Sequence, residues 1–428
     1  MITIKDVRKS SVEAVRLPAV SKDAPSVEGP VRRILEKVRK EGDAALRFYS
    51  KKFDGVSLTA LAVPAAEIAA AQRNADPAFL RVLKRSAANI TRFHRAQQRR
   101  PFTVSAPHGS QLQQIYRSVE RAGVYVPGGK AAYPSTVLMN VIPALVAGVS
   151  EVHLVSPPDA HGNIHPDVLT AASLLGVKHV YRIGGAQAIA ALAFGTETVP
   201  AVDKIVGPGN IFVATAKRLV YGTVGIDSFA GPSEVLILAD DTAEPSFVAA
   251  DLLAQAEHDE RAVPILVTPS RTLAHSVRAE VQRMLERSDR RRILEASIKG
   301  QGRIYLVASM KQGIALTNRF APEHLEIITK RDREVLAQIR HAGSIFLGNH
   351  SPVAIGDYFA GPNHVLPTEG TARFSSPLSV DDFIKRSSVI RYTAAQMREV
   401  ADAVASFAER EGLSAHAASL RIRKQGRA

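Results

Sequence analysis

Short apolar runs alternate with segments of helical period along most of the chain. From residue 123 onward, the apolar runs are rich in valine, isoleucine and leucine, and the segments between them repeat their apolar residues every three to four positions. The first pattern is typical of buried strands and the second of helices that pack on a sheet. The runs predict strands at 123–126, 152–155, 179–183, 204–206, 235–238, 265–267, 304–307, 325–328 and 344–347. Such alternation favours parallel α/β sheets with helices on both faces, and it is long enough for two sheets.

The helical pattern begins earlier and also continues beyond the last of these strands. It predicts helices at 31–49, 76–98, 137–146, 168–175, 186–194, 211–221, 246–258, 272–285, 331–341, 394–411 and 413–424. After about residue 375 only 388–392 has the composition of a strand. This tail has a small apolar stripe and many charges, and it is too small to form a domain of its own. We therefore expect it to pack against another part of the protein, and a second subunit is one candidate.

Composition narrows the class of protein. The 428 residues are 46% hydrophobic and 22% charged, which is ordinary for a globular protein of two or three domains. No apolar run is long enough to span a bilayer, and the amino terminus lacks the apolar stretch of a signal peptide. We therefore expect a cytoplasmic protein without a membrane partner.

The chain contains no cysteine. Disulfides, thiolate metal sites and a thiol nucleophile are therefore excluded. Any oxidation of an aldehyde by this protein must proceed without a covalent adduct of cysteine.

The formal net charge of +14 could indicate a nucleic-acid partner. However, the basic residues are spread along the chain, and no recognisable nucleic-acid motif accompanies them. We interpret the charge as a solvated basic surface and expect no nucleic acid to bind.

A carboxylate and an imidazole stand side by side at Glu323 and His324, just before the apolar run at 325–328. Pro322 disfavours helix at the residue before it, so the pair is predicted to lie in a loop that enters a strand. Histidine is the side chain best suited to transfer protons near neutral pH, and a neighbouring carboxylate can activate a water molecule. In isolation such a pair is more often a surface dipeptide than a catalytic one.

Three glycine turns follow predicted strands and precede predicted helices, at 127–130, 184–187 and 207–210. Glycine allows close approach of the backbone, and helix amino termini attract phosphate. The G-x-G-x-x-G dinucleotide fingerprint is absent, and a single turn of this kind would be an ordinary strand-to-helix connection. The presence of three such turns in succession is what indicates a crevice for a dinucleotide or phosphate.

Oxygen and nitrogen ligands for a metal ion occur in three segments. Gln255 and His258 are three residues apart at the end of a predicted helix and share a face. Asp357 and His364 lie in a polar, turn-rich segment, and His416 follows in the tail. Imidazole, carboxylate and amide groups could together bind zinc without thiolates, although spacing alone leaves an ordinary surface role open for each.

Eight long motifs resemble the histidinol dehydrogenase family, and the resemblance extends from about residue 31 to residue 416. The motifs are Val124–Gly129, Gly184–Phe194, Ile205–Asn210, Ala230–Val235, Leu253–His258, Ala321–Glu326, Gly356–Thr368 and Glu411–His416. The resemblance implies an NAD-dependent four-electron oxidation of L-histidinol to L-histidine through L-histidinaldehyde, the last step of histidine biosynthesis. It also implies one zinc ion per subunit.

The family fold implied by this resemblance is α/β, with two Rossmann-like parallel-sheet domains and an extended, mostly helical tail region. We expect an amino-terminal arm at 1–22, a first domain at 23–122 and 233–375 with the catalytic and zinc residues, a second, NAD-binding domain at 123–232, and a tail at 376–428. The resemblance further implies a homodimer in which the tail completes the active site of the partner subunit.

Residue roles are carried over from the family by position. Glu323 and His324 resemble the catalytic pair. Gln255, His258, Asp357 and His416 resemble the zinc ligands, and Tyr125, Gln187 and Asn210 resemble the NAD contacts. The positions that resemble substrate contacts are Ser233, Gln255, His258, His324, Asp357, Glu411 and His416. His364 is expected to orient a ligand rather than to be one.

Two other functions remain to be distinguished. A paralogous zinc- and NAD-dependent dehydrogenase could act on another polar alcohol with the same scaffold. A non-catalytic zinc- or nucleic-acid-binding protein is suggested by the charge alone and would not need Glu323 or His324.

Overall fold

The structure, a computed structural model, describes residues 1–18, 27–128, 132–228 and 231–425. The described residues of 1–97 and 119–383 form one compact unit, and residues 98–118 form a second unit with the chain from Ile384 onward. Gly129 and Lys130 of the first glycine turn, Ala230 of the fourth motif, and residues 19–22 of the expected arm lie outside the described residues. Strands and helices are numbered in chain order.

The first unit contains a six-stranded parallel sheet in the order β1-β11-β10-β9-β12-β13. Its strands are β1 (Thr3–Asp6), β9 (Glu234–Ala239), β10 (Val263–Thr268), β11 (Arg303–Leu306), β12 (His324–Ile328) and β13 (Ser344–Leu347). The last five strands follow the order 3-2-1-4-5 of a Rossmann-like sheet. Strands β9, β10 and β12 are buried along their whole length, as expected when helices cover both faces.

The same unit contains a five-stranded parallel sheet in the order β6-β5-β4-β7-β8. Its strands are β4 (Arg121–Tyr125), β5 (Glu151–Ser156), β6 (His179–Arg182), β7 (Lys204–Val206) and β8 (Gly225–Ile226). This is again the order 3-2-1-4-5, and its topological switch point lies between β4 and β7. The prediction of two Rossmann-like parallel sheets is confirmed.

Helices connect the strands and cover the sheets. Those of the five-stranded sheet are α4 (Pro134–Ala147), α5 (Pro166–Leu174), α6 (Gly185–Phe194) and α7 (Ile211–Val220). Those of the six-stranded sheet are α8 (Pro245–Ala256), α9 (Arg271–Leu285), α10 (Arg291–Gly300), α11 (Met310–Phe320), α12 (Asp332–Leu336) and the short α13 (Val353–Ile355).

Three earlier helices pack on the five-stranded sheet. They are α1 (Glu28–Tyr49), α2 (Ala65–Asn74) and α3 (Pro77–Arg95). Helix α1 contacts α6 and α7, helix α2 contacts α5, and helix α3 contacts α4. The grouping of residues 23–122 with 233–375 therefore has to be corrected for these helices. The apolar face of α1, which includes Val31, Leu35 and Val38, is buried against the alanine-rich α6, a tertiary match that periodicity does not reveal.

The second unit combines the helical tail with a small sheet. An antiparallel sheet in the order β14-β3-β2 is formed by β2 (Phe102–Ser105), β3 (Gln111–Ser118) and β14 (Ile384–Arg391). Helices α14 (Ala394–Arg410) and α15 (Ser414–Gln425) pack on each other. The expected strand at 388–392 is therefore part of a longer strand, and its partner β3 was not predicted.

All nine strands predicted between 123 and 347 are present within about two residues of their expected ends. The predicted helix at 331–341 is much shorter, and β1, β2, β3, β8, α2, α10 and α11 were not predicted. Among the residues that the structure describes, no helix is both long and apolar enough to cross a membrane.

Candidate active site

The pair Glu323–His324 stands where the chain leaves α11 and enters β12. Ala321 ends the helix in the left-handed conformation with φ of 55°, and Pro322 follows it. Proline cannot continue the helix, so the chain turns sharply into the strand. The predicted loop entry is confirmed, since β12 begins at His324 itself.

The imidazole of His324 is held in one orientation. Its Nδ1 lies 3.0 Å from the backbone carbonyl oxygen of Glu234 on the neighbouring strand β9, and this hydrogen bond assigns the ring proton to Nδ1. Nε2 is buried and has no hydrogen-bond partner in the described part of the chain, and it lies 3.8 Å from Oδ1 of Asp357. The nitrogen that can accept a proton therefore faces Asp357.

The carboxylate of Glu323 is oriented by the same neighbouring strand. The backbone N–H of Glu234 donates to Oε2 of Glu323 at 2.7 Å, and this oxygen lies 3.5 Å from Nδ1 of His324. Glu323 and His324 are 6% and 5% exposed. Both side chains of the dipeptide thus contact one residue, Glu234, although neighbours on a regular strand would point to opposite faces.

Burial and neighbouring charges shift the pKa values of His324 and Asp357. Burial disfavours the charged form of His324, but the carboxylates of Glu323 and Asp357 overcome this effect and raise its pKa well above the ordinary value. Burial also opposes ionisation of Asp357, yet the nearby imidazole of His324 holds the pKa of that carboxyl below its usual range. Imidazole and carboxylate therefore stabilise each other's charged forms.

Gln255 and His258 reach this region from the carboxyl end of α8. The helix ends at Ala256, two residues earlier than predicted, and the backbone N–H of His258 bonds to the carbonyl of Gln255 at 3.3 Å. A helix that connects two parallel strands runs antiparallel to them, so its carboxyl end lies at the amino ends of the strands. Since Glu234 and His324 begin β9 and β12, the end of α8 faces the same edge of the sheet.

Asp357 and His364 come from the irregular segment after β13. Asp357 lies in a wide helical turn, Gly356–Ala360, and its backbone carbonyl is 3.1 Å from Nδ1 of His364. His324, Asp357 and His364 line one cavity of about 210 Å³. Burial lowers the pKa of His364, so this imidazole is predominantly neutral near pH 7.

The residues of this edge fit a divalent cation. Gln255 is 2% exposed, and among the described residues neither its amide oxygen nor its amide nitrogen has a hydrogen-bond partner. A buried amide without a partner costs free energy, and a cation on its oxygen would remove part of that cost. Asp357 supplies a half-buried carboxylate, whose pKa the nearby His258 also lowers.

No group of three histidine, cysteine, aspartate or glutamate side chains suited to a metal ion is present in the described ranges. The expected ligand set accounts for this result. One member is the glutamine Gln255, and another, His416, belongs to the second unit. Only His258 and Asp357 remain as ligands of those kinds in the first unit.

The glycine turns of the five-stranded sheet are shaped by close contacts. A Cβ at Gly184 would collide with Pro157, and one at Gly207, whose φ is +111°, would collide with the backbone of Tyr125. The hydroxyl of Tyr125 accepts the N–H of Gly185 at 3.0 Å, and burial raises its pKa to about 12. Gln187 is 1% exposed, and its side-chain oxygen has no partner among the residues described.

A buried ion pair fixes the turn after β7. Lys217 and Asp227 pair with each other, Lys217 Nζ donates to the carbonyl of Gly207 at 2.9 Å, and the N–H of Gly207 donates to Asp227 at 2.8 Å. Asn210 caps α7, because its Oδ1 accepts the N–H groups of Phe212 and Val213. These turns lie at the carboxyl ends of β4, β6 and β7, the usual position of a nucleotide in such a sheet.

The remaining expected site residues lie in two places. Ser233 is half-buried and directly precedes β9, next to the Glu323–His324 pair. Glu411 and His416 belong to the second unit, where both are exposed in the single chain. The structure therefore brings Glu323, His324, Gln255, His258, Asp357 and Ser233 to one edge of the six-stranded sheet.

Glu234 was missed as a site residue. It is 3% exposed, its Oε1 accepts the N–H of Glu369 at 3.1 Å, and burial together with the Glu323 carboxylate raises its pKa to about 8. The signal in the sequence was a carboxylate at the start of an otherwise apolar strand. Glu326, which is buried in the middle of β12, and the half-buried Asp251 on α8 were also missed.

Comparisons with known proteins agree on one family. The family model described as histidinol dehydrogenase matches residues 18–424. The histidinol dehydrogenase of Halalkalibacterium halodurans is 52% identical over 396 residues, covering 92% of this chain and 93% of that protein, and that of Bacillus subtilis is 52% identical over 395 residues, covering 92% of each. The crystal structure of histidinol dehydrogenase from Elizabethkingia anophelis is similar with a TM-score of 0.94 and 38% identity, covering 99% of this chain and 98% of that one.

The substitution Glu234→Gln should change how stability depends on pH. Because folding raises the pKa of this carboxyl to about 8 from an ordinary 4.5, its contribution is complete below pH 4.5 and is lost as pH rises through 8. Between these values the loss is about 1.4 kcal/mol per pH unit at most. The glutamine variant should therefore lose less stability than the wild type between pH 6 and pH 9, measured as the unfolding midpoint in urea.

Glu151→Gln is the matched control, because Glu151 is exposed and arginine and histidine partners lower its pKa. Its profile should follow that of the wild type over the same range. Parallel profiles for the wild type and Glu234→Gln would show that Glu234 is ionised in the folded protein.

Proposed function

The chain belongs to the histidinol dehydrogenase family and is an oxidoreductase, and from this premise we propose that it oxidises L-histidinol to L-histidine in two NAD-dependent steps through L-histidinaldehyde. The proposal includes one zinc ion per subunit and a cytoplasmic homodimer with shared active sites. The observation that carries it is the orientation of His324, whose Nδ1 is anchored while its unpartnered Nε2 faces Asp357 among the described residues.

His324 is the general base of this proposal. In the neutral form of the imidazole, whose single proton is on Nδ1, Nε2 can accept the hydroxyl proton of the alcohol as the alcohol is oxidised. The imidazolium that forms is stabilised by the carboxylates of Glu323 and Asp357, which already raise the pKa of His324 against the effect of burial. The cost of placing a positive charge in a buried site is thereby reduced.

Glu323 serves the second oxidation. An aldehyde must be hydrated before it can lose a second hydride, and a carboxylate can remove the proton of the attacking water. The hydrogen bond from the Glu234 N–H holds the Glu323 carboxylate beside His324. This route requires no cysteine, in agreement with the composition.

Gln255, His258 and Asp357, with His416 of the partner subunit, would hold the zinc ion. Bound zinc would supply a fixed positive charge that could hold the amino and imidazole nitrogens of the substrate. The unpartnered amide of Gln255 supports this assignment within the described chain. Ser233, His324 and the carboxylate of Glu411 would contact the substrate.

The glycine turns at the switch point of the five-stranded sheet would hold the cofactor. NAD, when bound, accepts the hydride of each oxidation. Backbone at Gly184 and Gly207 can approach a ligand closely, and the amino ends of α6 and α7 favour its pyrophosphate. The Tyr125 hydroxyl accepts a hydrogen bond from the turn at 184–187, and the Gln187 amide of that turn is buried. The side chain of Asn210 caps α7.

Exposed apolar side chains in the second unit support a homodimer. Phe102, Val104, Leu112, Val389 and Ile390 line one concave face of its antiparallel sheet, and Phe407 and Ile422 are exposed on α14 and α15. Apolar surface of this extent is usually covered in the functional assembly. A second copy of the chain would cover it and would bring Glu411 and His416 to a shared site.

The wild-type enzyme should form two equivalents of NADH per L-histidinol. The measurement is the absorbance of NADH at completion with limiting L-histidinol and excess NAD, before and after removal of metal by a chelator. Chelation should abolish turnover, and zinc should restore it. One equivalent or none would instead favour a paralogue that acts on another polar alcohol.

Substitutions at the two bases should separate the steps. His324→Asn should lower kcat by about 10²–10⁴-fold for both L-histidinol and L-histidinaldehyde, because one base serves both oxidations. Glu323→Gln should lower kcat for the aldehyde by a much larger factor than for the alcohol, measured as single turnovers with each substrate. Equal losses in the two half-reactions of Glu323→Gln would remove its proposed role in hydration.

A mixed dimer tests the shared site. His258→Asn and His416→Asn homodimers should both be nearly inactive, whereas a dimer of one subunit of each should have one intact site and about half of the wild-type activity. Differently tagged subunits, co-expressed and purified through both tags, allow this measurement. If each site were built from a single chain, every site of the mixed dimer would carry one substitution and no activity would return.

A further inference from the structure

A second pair of carboxyl groups, the buried Glu326 and the half-buried Asp251, lies near the candidate active site. Glu326 is on β12, two residues after His324, and therefore points to the same face of the sheet. Asp251 is on α8, one helical turn before Gln255. The two carboxyl groups lie close enough to each other for a shared proton to join them by a hydrogen bond. Neither residue has a role in the proton transfers described above.

Glu326 also contacts the segment that carries Asp357. Its Oε1 accepts the backbone N–H of Val353 at 3.1 Å, and this contact is fully buried. Val353 begins α13, which leads directly into the turn Gly356–Ala360. The first N–H groups of a helical segment need an acceptor, and Glu326 supplies one from the neighbouring strand. The position of Asp357 therefore depends on a contact four residues before it.

The protonation of the pair is consistent with this geometry. Burial raises the pKa of Asp251 to about 6 and, together with the Asp251 carboxylate, raises that of Glu326 well above its ordinary value. Two carboxyl groups in hydrogen-bond contact share a proton, because two adjacent negative charges repel each other in a buried site. The pair can thus keep its hydrogen bond near neutral pH.

We propose that Asp251 and Glu326 form a positioning pair, which joins α8, β12 and the 353–360 segment and so sets the separation of Gln255, His324 and Asp357. The pair acts through these three residues and does not touch the substrate itself. Its role in catalysis rests on the proposed function, since it assumes that Gln255 and Asp357 bind the metal and that His324 is the base.

Apolar side chains would hold the same three segments together at a lower cost. Replacement of buried polar pairs by well-packed apolar residues is often neutral or stabilising, so stability alone does not explain two buried carboxyl groups. Directional hydrogen bonds fix orientation, which packing does less strictly. Displacement of a ligand-supporting group typically lowers metal affinity or activity by about 10- to 100-fold.

The test compares Glu326→Leu, Asp251→Ala and Glu326→Gln in the full-length enzyme. Three quantities are measured for each variant. The zinc affinity is obtained by competition with a chelator, and kcat and KM for L-histidinol are determined at saturating zinc. The third quantity is the rate of hydrogen exchange at the backbone amides of 353–360. Glu326→Leu and Asp251→Ala should each lower zinc affinity and kcat by about 10- to 100-fold. Glu326→Leu should also increase exchange at 353–360. Glu326→Gln should restore both values to within a few-fold, because its amide can accept from Val353 and donate to Asp251.

Ser297→Ala is the matched control. Ser297 is fully buried on α10 beside the same sheet, and its hydroxyl donates to the carbonyl of Ala262 at 2.9 Å. Its loss removes one buried hydrogen bond and should lower the unfolding temperature without changing zinc affinity, kcat or exchange at 353–360. The double variant Asp251→Ala/Glu326→Leu should be no worse than the poorer single variant, since the pair acts as a unit.

Two results would overturn the positioning role. In the first, Glu326→Leu and Asp251→Ala lose stability as Ser297→Ala does but keep wild-type zinc affinity and kcat. In the second, Glu326→Gln is as impaired as Glu326→Leu. If Glu326→Leu does not fold, the zinc affinity and kcat of Asp251→Ala, which changes the less buried residue of the pair, decide whether the positioning role holds. Wild-type enzyme that neither binds zinc nor forms two NADH would instead refute the proposed function, and the positioning role with it.

Discussion

The hydrogen bond between Nδ1 of His324 and the carbonyl of Glu234 is the contact on which the candidate site depends. It joins two adjacent parallel strands at their first residues, and it decides which nitrogen of the imidazole can accept a proton. The N–H of the same Glu234 orients Glu323. One residue at the start of β9 thus positions both members of the candidate pair, through backbone groups that no substitution of its side chain removes.

The candidate sites of the two parallel sheets lie at opposite ends of their strands. In the five-stranded sheet the glycine turns lie at the carboxyl ends of the strands, as is usual for a Rossmann-like fold. In the six-stranded sheet Glu234 and His324 lie at the amino ends, where the carboxyl end of α8 also arrives. Asn363 donates to the carbonyl of Met139 at 2.6 Å, so the segment after Asp357 is tied to a helix of the other sheet.

Buried polar groups cluster at this edge of the six-stranded sheet. Strands β9 and β12 are otherwise aliphatic, yet Glu234, Glu323, His324, Glu326 and Gln255 are all less than 9% exposed. Such groups are costly unless partners satisfy them. The shifted pKa values of Glu234, His324 and Glu326 are the direct consequence, and perturbed groups of this kind cluster at functional sites.

The sequence by itself determined the two parallel sheets, nearly all of their strand limits and the entry of Glu323 and His324 into a strand, because period and proline act locally. Its motifs also identified the family to which the chain belongs. The tertiary structure decided that α1–α3 cover the five-stranded sheet and that β3 pairs with β14, since both depend on contacts between residues far apart in the chain. It likewise decided that Glu234 anchors His324 and that Asp251 meets Glu326, because burial and hydrogen bonding are properties of the folded neighbourhood, which spacing along a chain does not encode.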